Sequence, residues 1–279
     1  MLLKSFSKIN LSLSINKKIP QKKLHDLQSY FCLIDLFDEI RIKKTKKLKD
    51  IIKFEGKFAN NVKKNNNSIV AVLKILREKK LISHSYRILV KKKIPVFAGM
   101  GGGTSNAVFL IKYFLGNNVK KSLLKTLSQK IGSDLKLFFY NQGFLKNIEA
   151  INNFPRKHRL FFLLVYPNIK CSTRYVYSKV KKYSLKSIHN FNIINTNRKF
   201  VEFLSKKNND LQSIVEKRYP AIKKLIIEIR KEKGCYFSRM TGSGSVCYGV
   251  FKSEKTAKAA LNMIKLKHPK YWSSIAKTI

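Results

Sequence analysis

Acidic residues are scarce. Only 15 Asp and Glu stand against 59 Lys and Arg in 279 residues, a formal net charge of +44. A charge of that size draws a protein toward polyanions. The lysines, however, are spread along the whole chain, and no RNA-binding signature or zinc-finger spacing accompanies them. They read as a compositional bias more than as a dedicated polyanion surface, and no nucleic-acid partner is expected.

Cysteine is sparse too. Cys32, Cys171, Cys235 and Cys247 contain no C-x-x-C pair, which fits reduced residues in or near a core and not a disulfide framework. The five histidines show no H-E-x-x-H or similar ligand spacing, so a transition-metal site is not expected. Apolar runs such as "LFFLLVYP" at 160 to 167 are too short to cross a bilayer. Lys4 and Lys8 interrupt the first apolar pattern, and no A-x-A-like cleavage site follows, which is a poor fit to a signal peptide. A cytoplasmic protein without a membrane partner is the expectation. The 44% hydrophobic and 11% aromatic content is that of a chain that folds, into one large domain or two moderate ones.

Periodicity places the elements. Alternation from Leu11 to Ile15 predicts a half-buried strand, followed by strand-like "LQSYFCLIDL" and "DEIRIKK". After the polar "NVKKNNN", the spacing of Ile69, Val72, Leu73 and Leu76 predicts a helix, and "YRILVKKKIPV" a strand. Val108, Ile111 and Leu115 mark a helix that Thr104 or Ser105 is expected to cap, and "SLLKTLSQKI" a second one closed by Gly132. "LKLFFYN" reads as a strand. A boundary is placed near "NNFPRKHR", dividing residues 1–153 from 154–279. Beyond it come strand "LFFLLVYP", helices near 172–182, 197–206 and 210–232, strands "CYFSRM" and "VCYGVF", a helix from Ser253 to about 265 and a last strand. "NFNIINTNRKF" is the most loop-like stretch. The pattern predicts two α+β domains.

Glycine is also infrequent, with 12 in the whole chain, yet Gly99, Gly101, Gly102 and Gly103 fall within five residues. Glycine loses more backbone freedom on folding than any other residue, so the cluster needs a reason. One is a phosphate cradle, because a helix N-terminus offers unpaired N–H groups and a positive dipole end that glycines leave open to a ligand. The other is a tight structural turn. Neither the P-loop pattern nor the dinucleotide G-x-G-x-x-G matches, since no lysine follows and residue 104 is Thr. Gly242 and Gly244 in "TGSGS" join two strand-like runs, as a hairpin turn would.

Three motifs in order change the balance: "SFSKINLSLSI", "IPVFAGMGGGTSNA" and "TGSGS". Together they resemble the small-molecule kinases named for galactokinase, homoserine kinase, mevalonate kinase and phosphomevalonate kinase, the GHMP kinases. Within them the likeness is greatest to the 4-diphosphocytidyl-2-C-methyl-D-erythritol kinases. Ser7 to Leu13 resembles that family's A-K-I-N-L-x-L, "LHDLQS" its Y-H-x-L-x-S/T, "LIDLFDEI" its LLDLGDEI, "IGSDLKLFF" its LGADVPFFL, and "NNDLQSIV" its NDLEPVV.

The resemblance implies a two-domain α+β GHMP kinase fold, with an N-terminal half like domain 2 of ribosomal protein S5 and a ferredoxin-like C-terminal half. It implies a small-molecule substrate, cytidyl-diphospho-methylerythritol, with ATP and Mg²⁺ as cofactors, in a monomer or weak dimer. Asp134 matches the family's catalytic aspartate and Lys8 the lysine that steadies it. Pro95, Gly99, Gly101, Gly102, Gly103, Thr104 and Ser105 match the ATP loop, and Asn67 and Lys92 positions near adenine. Asn10 and His25 match positions holding the cytidine end, Thr173 a position near cytosine, and Gly242 and Gly244 the acceptor-pocket loop. Without the likeness, Asp134 reads as a turn residue, Lys8 as a solvated strand lysine, Asn67 as one loop asparagine of three, and Thr173 as a helix cap. No Mg²⁺ ligand is indicated. Leu24 departs from the family's aromatic residue before the histidine, which puts base affinity in question.

Overall fold

The computed structural model describes residues 1–19, 24–187 and 194–279. Two compact units are woven from separate stretches of chain. Met1–Lys8, Leu36–Val96 and Gly101–Tyr140 form the first; Ile9–Asp35, Phe97–Met100 and Asn141–Ile279 form the second.

In the first unit, β1 (Leu2–Asn10) contributes up to Lys8, and β3 (Leu24–Thr45) contributes from Leu36 onward. The two strand-like runs of the sequence are thus one 22-residue strand. Its Glu39–Thr45 part pairs antiparallel with β5 (Ser85–Lys91), and β4 (Ile51–Glu55), which the sequence pattern did not reveal, runs parallel to β5. Helix α1 (Ser68–Glu78) buries Ile69, Val72, Leu73, Ile75 and Leu76, and packs against α2 (Gly102–Leu115) and α3 (Lys121–Ile131). Gly132, at φ +147°, closes α3 as expected.

"LKLFFYN" is not a strand. Residues Ser133–Phe139 form a 3₁₀ turn that buries Leu135, Leu137 and Phe138. An apolar run this short fits either element, and the acidic Asp134 at its start favours a helical one.

In the second unit, β2 (Ser14–Ile19) and β6 (Gln142–Leu145) both pair antiparallel with the early part of β3, and β7 (Ile151–Asn153) lies beyond β6. The expected strand over Leu11–Ile15 is broken, because the amides of Leu11 and Ser12 both donate to the Tyr30 carbonyl and strand pairing resumes only at Ser14. A second sheet is ordered β11 (Trp272–Lys277), β8 (Phe161–Tyr166), β10 (Cys247–Phe251), β9 (Cys235–Met240), antiparallel throughout.

Around it stand α4 (Thr173–Ser178), α5 (Asn197–Ser205), α6 (Gln212–Arg218), α7 (Pro220–Lys231) and α8 (Glu254–Lys267). The single helix expected over 210–232 is two, because Pro220 lacks an N–H and restricts Tyr219 before it. Ser253 and Thr256 form a reciprocal capping box at the start of α8. The loop-like "NFNIINTNRKF" lies partly outside the described residues, and its end belongs to α5. The cysteines are free thiols, and burial pushes Cys171 and Cys235 up to about 11.

Candidate active site

β1 ends its run in the first unit at Lys8, whose side chain is almost wholly shielded, while Gly132 turns the chain out of α3 so that Asp134 follows at once. Lys8 Nζ lies 2.9 Å from Asp134 Oδ2, and the carboxylate side chain keeps 41% exposure. A buried ammonium fixes the orientation of a carboxylate that water and a substrate still reach. A Cβ built on Gly101 would stand 3.7 Å from Lys8 Cε, so the pair adjoins the start of α2.

That start is glycine, not hydroxyl. Gly101, at φ +67°, is the N-cap of α2 and offers no side-chain cap; Thr104 and Ser105 sit inside the first turn. The Ser105 hydroxyl is fully buried and committed to β1, donating to the Phe6 carbonyl at 2.5 Å and lying 2.7 Å from Ser5 Oγ. Thr104 Oγ1 faces Gly132, 3.8 Å from where a Cβ there would be. Pro95 is buried.

The glycines are required for different reasons. A Cβ on Gly101 would meet Phe138 at 2.8 Å and one on Gly102 would meet Ile94 at 3.0 Å. In the second unit, one on Gly99 would strike the Thr241 carbonyl at 2.2 Å. Gly103 is exposed, and its nearest neighbour would be Ser68 Oγ at an ordinary 3.5 Å. No neighbour in the fold demands glycine there, which leaves an open approach over N–H groups that a first helical turn cannot pair internally. These residues fit a phosphate group.

Lys92 and Asn67, the two residues expected near adenine, both make contacts within the first unit. Lys92, 2% exposed, donates to Asp38 and, at 3.1 Å, to Asn106 Oδ1 on α2. Asp38 is fully buried and also accepts from the amides of Lys93 (2.8 Å) and Ile94 (2.9 Å) and from Asn106 Nδ2 (3.0 Å). Sequence reasoning passed over Asp38, although it stands in "LIDLFDEI"; the scarcity of acids was the available signal. Asn67 is the N-cap of α1, its Oδ1 accepting from Ile69 and Val70 at 3.1 Å and its Nδ2 donating to the carbonyls of Lys63 and Lys64.

In the second unit, Asn10, Gly99 and Gly242 come together. The Asn10 amide donates to Thr241 Oγ1 at 3.0 Å, and a Cβ on Gly242 would meet the Gly99 carbonyl at 3.0 Å and Asn10 Oδ1 at 3.2 Å. Gly242 and Gly244 have φ of +55° and +88° in the connection between β9 and β10, which is a hairpin. Thr173 is not the cap of α4; Ser172 is, and Thr173 Oγ1 pairs instead with Ser243 Oγ at 2.9 Å. One turn along α4, the Tyr177 ring lies 5.4 Å from the ring of His25, and the Tyr183 ring lies 6.3 Å from it at an interplanar angle of 28°. Burial and the nearby Lys18 hold the His25 pKa below its usual value. Neither tyrosine was anticipated from sequence, where only the missing aromatic at Leu24 was noticed.

Among the described residues no three His, Cys, Asp or Glu side chains gather as a metal-binding group, and no helix is long and apolar enough to cross a membrane. The N terminal domain of the GHMP kinases matches residues 67–141, and the C terminal domain of the GHMP kinases matches residues 194–270. A 4-diphosphocytidyl-2-C-methyl-D-erythritol kinase of Pelagibacter ubique is 36% identical over 99% of this chain and 98% of its own. One of Ureaplasma parvum is 30% identical over 88% and 93%. A crystal structure of 4-(cytidine 5'-diphospho)-2C-methyl-D-erythritol kinase superposes with a TM-score of 0.77 at 20% identity, covering 99% of both chains. The mevalonate kinase of Methanococcus jannaschii shares the fold at 0.65 and 18% identity, covering 100% of this chain and 98% of its own.

The two family models together place the chain in the GHMP kinase class. Within that class the chain belongs to the 4-diphosphocytidyl-2-C-methyl-D-erythritol kinase family.

Proposed function

We propose that the chain transfers the γ-phosphoryl group of ATP to the 2-hydroxyl of 4-diphosphocytidyl-2-C-methyl-D-erythritol, a step of isoprenoid precursor biosynthesis. The observation that carries the mechanism is the 2.9 Å contact of Lys8 with Asp134 beside the first turn of α2. Phosphoryl transfer asks a protein chiefly for positioning and charge stabilisation. Asp134 accepts the hydroxyl proton, the freed oxygen bonds to the γ-phosphorus, and the bond to the ADP oxygen breaks. Lys8 aims the carboxylate and offsets charge gathering on the transferred group.

The open N–H groups of Gly102, Gly103 and Thr104 receive the phosphates. Mg²⁺ bound with the nucleotide would supply charge neutralisation at the phosphates. Asn10, His25, Thr173, Gly242 and Gly244 are assigned to the cytidyl end of the acceptor. Lys92 and Asn67 act behind the nucleotide, Lys92 by holding Asp38 and Asn67 by starting α1.

A coupled ADP-release assay with purified cytidyl-diphospho-methylerythritol, and mevalonate as control, tests the reading. ADP formed with the first and not the second is expected; ADP with mevalonate alone rejects it.

A further inference from the structure

The second unit holds a cavity of about 780 Å³ walled by α6, α7, β9 and the segment around Tyr183. Its volume is that of a small-molecule site. Among the described residues, Lys182, Arg230, Lys231 and Arg239 line it together with only two carboxylates, Asp210 and Glu216. Both acids accept from neutral groups and keep their charge, so four cations stand against two anions. Asp210 accepts from the Ile15 amide and the Ser184 hydroxyl, each at 2.7 Å, and Glu216 from Gln212 Nε2 at 2.8 Å.

Among the described residues none of the four cations forms a salt bridge. Arg239 is the telling one, because it is 95% buried. It stacks its guanidinium 4.7 Å from the Phe237 ring and donates to the main-chain carbonyls of Leu11, Leu204 and Lys207. A shielded guanidinium satisfied by neutral groups still carries its full charge, and that charge faces a cavity already in positive excess.

The walls also reach the elements assigned to the acceptor. Arg239 holds the Leu11 carbonyl, next to Asn10. Asn209 Nδ2 donates to the carbonyls of Met240 (2.9 Å) and Gly242 (2.8 Å). Tyr183 lies against His25. We propose that this cavity is a second, non-catalytic site for a small phosphate- or diphosphate-bearing anion, and that its occupancy changes the affinity for the acceptor. The coupling rests on the assignment of Asn10, His25 and Gly242 to acceptor binding; the anion site does not.

The test is titration of the ¹⁵N-labelled full chain with inorganic pyrophosphate at fixed free Mg²⁺, followed at the amides of Ser205, Ser213 and Ser238. Saturable shifts at these amides are expected, with at least tenfold weaker affinity in the double variant R230E/K231E. In kinetic assays pyrophosphate shifts the acceptor KM of the natural chain, and the double variant loses that shift while keeping kcat. Cavity amides that stay still, respond equally in the variant, or drift without saturation along with lysines everywhere overturn the site. Saturable binding with an unmoved KM overturns the coupling. A chain that binds pyrophosphate in the cavity but turns over no acceptor retains the anion site and refutes the proposed activity.

Discussion

The ammonium of Lys92 and the carboxylate of Asp38 meet in the interior of the first unit, at 2% and 0% side-chain exposure. The pair links β3 to the segment leading into the glycine loop, and Asn106 ties both to α2. Removing one partner leaves an uncompensated buried charge, which costs about 3–5 kcal/mol, whereas replacing both with apolar groups is far milder. Lys92→Met is therefore expected to lose several kcal/mol in urea unfolding, and Lys92→Met with Asp38→Asn, which removes both charges yet keeps an oxygen for the Lys93 and Ile94 amides, to recover much of it. A double variant as unstable as the sum of the singles would show that the pair does not act as a unit.

Asp134→Asn keeps the shape at the Lys8 contact and removes the proton acceptor. General base catalysis contributes roughly 10²–10⁴-fold, so kcat is expected to fall by that order while ATP still binds in equilibrium dialysis. Lys8→Met is expected to lower kcat as well. Turnover within a few-fold of the natural chain in Asp134→Asn would remove this residue from the chemistry.

Gly103→Ala separates the two explanations of the glycine cluster. Alanine contributes about 1 kcal/mol over glycine inside a helix, and its methyl would make only an ordinary contact with Ser68. The variant is expected to unfold at a higher temperature and yet to show an ATP KM raised tenfold or more. Gly99→Ala, at φ +77° and 2.2 Å from the Thr241 carbonyl, is expected to lose stability outright. An unchanged ATP KM in Gly103→Ala means that no phosphate approaches this turn.

Legibility from sequence followed the physics of each signal. Helix α1, with five buried apolar residues at helical spacing, and α3, stopped by Gly132, were plain because period and punctuation agree. β4 was hidden inside a lysine-rich stretch where polar side chains mask the alternation, and it is held by pairing with β5, which no local pattern records. The Lys8 and Asp134 positions were read from a family likeness. Nothing in their own neighbourhoods says that residues 126 apart meet at 2.9 Å. The burial of Lys92 is not legible locally, because its partner Asp38 lies 54 residues earlier on β3. The tyrosines around His25 escaped notice since ring contacts across 150 residues leave no trace in periodicity.

His158 gives a pH dependence with a definite sign. It is 3% exposed, stacks on Phe200 with ring centroids 4.2 Å apart and pairs through Nδ1 with Asn197. Burial lowers its pKa from the ordinary 6.5, against the opposing hydrogen bond to Asn197. The unfolded chain therefore takes up the proton first, so the contribution of neutral His158 is complete above pH 6.5 and is lost as pH falls through the lower folded value. Urea unfolding from pH 7 to 5 is expected to show falling stability, with a shallower fall in His158→Gln. Equal slopes in the two proteins would assign the acid sensitivity to other groups.

Leu24, 40% exposed, immediately precedes the ring that Tyr177 and Tyr183 flank. An aromatic ring contributes about 0.5–1.5 kcal/mol beyond its buried area when it stacks on another π system. Leucine covers a base face without that gain. If His25 and its tyrosines receive the cytosine, Leu24→Tyr is expected to lower the acceptor KM about two- to tenfold, with the ATP KM unmoved. Inhibition by cytidine monophosphate should tighten in parallel, because that ligand carries the base without the methylerythritol. The opposite change, Tyr177→Leu, should weaken both. A Leu24→Tyr variant whose acceptor KM and cytidine monophosphate inhibition both stay constant would place the base away from His25, and Tyr177 and Tyr183 would then be packing residues that hold the start of β3.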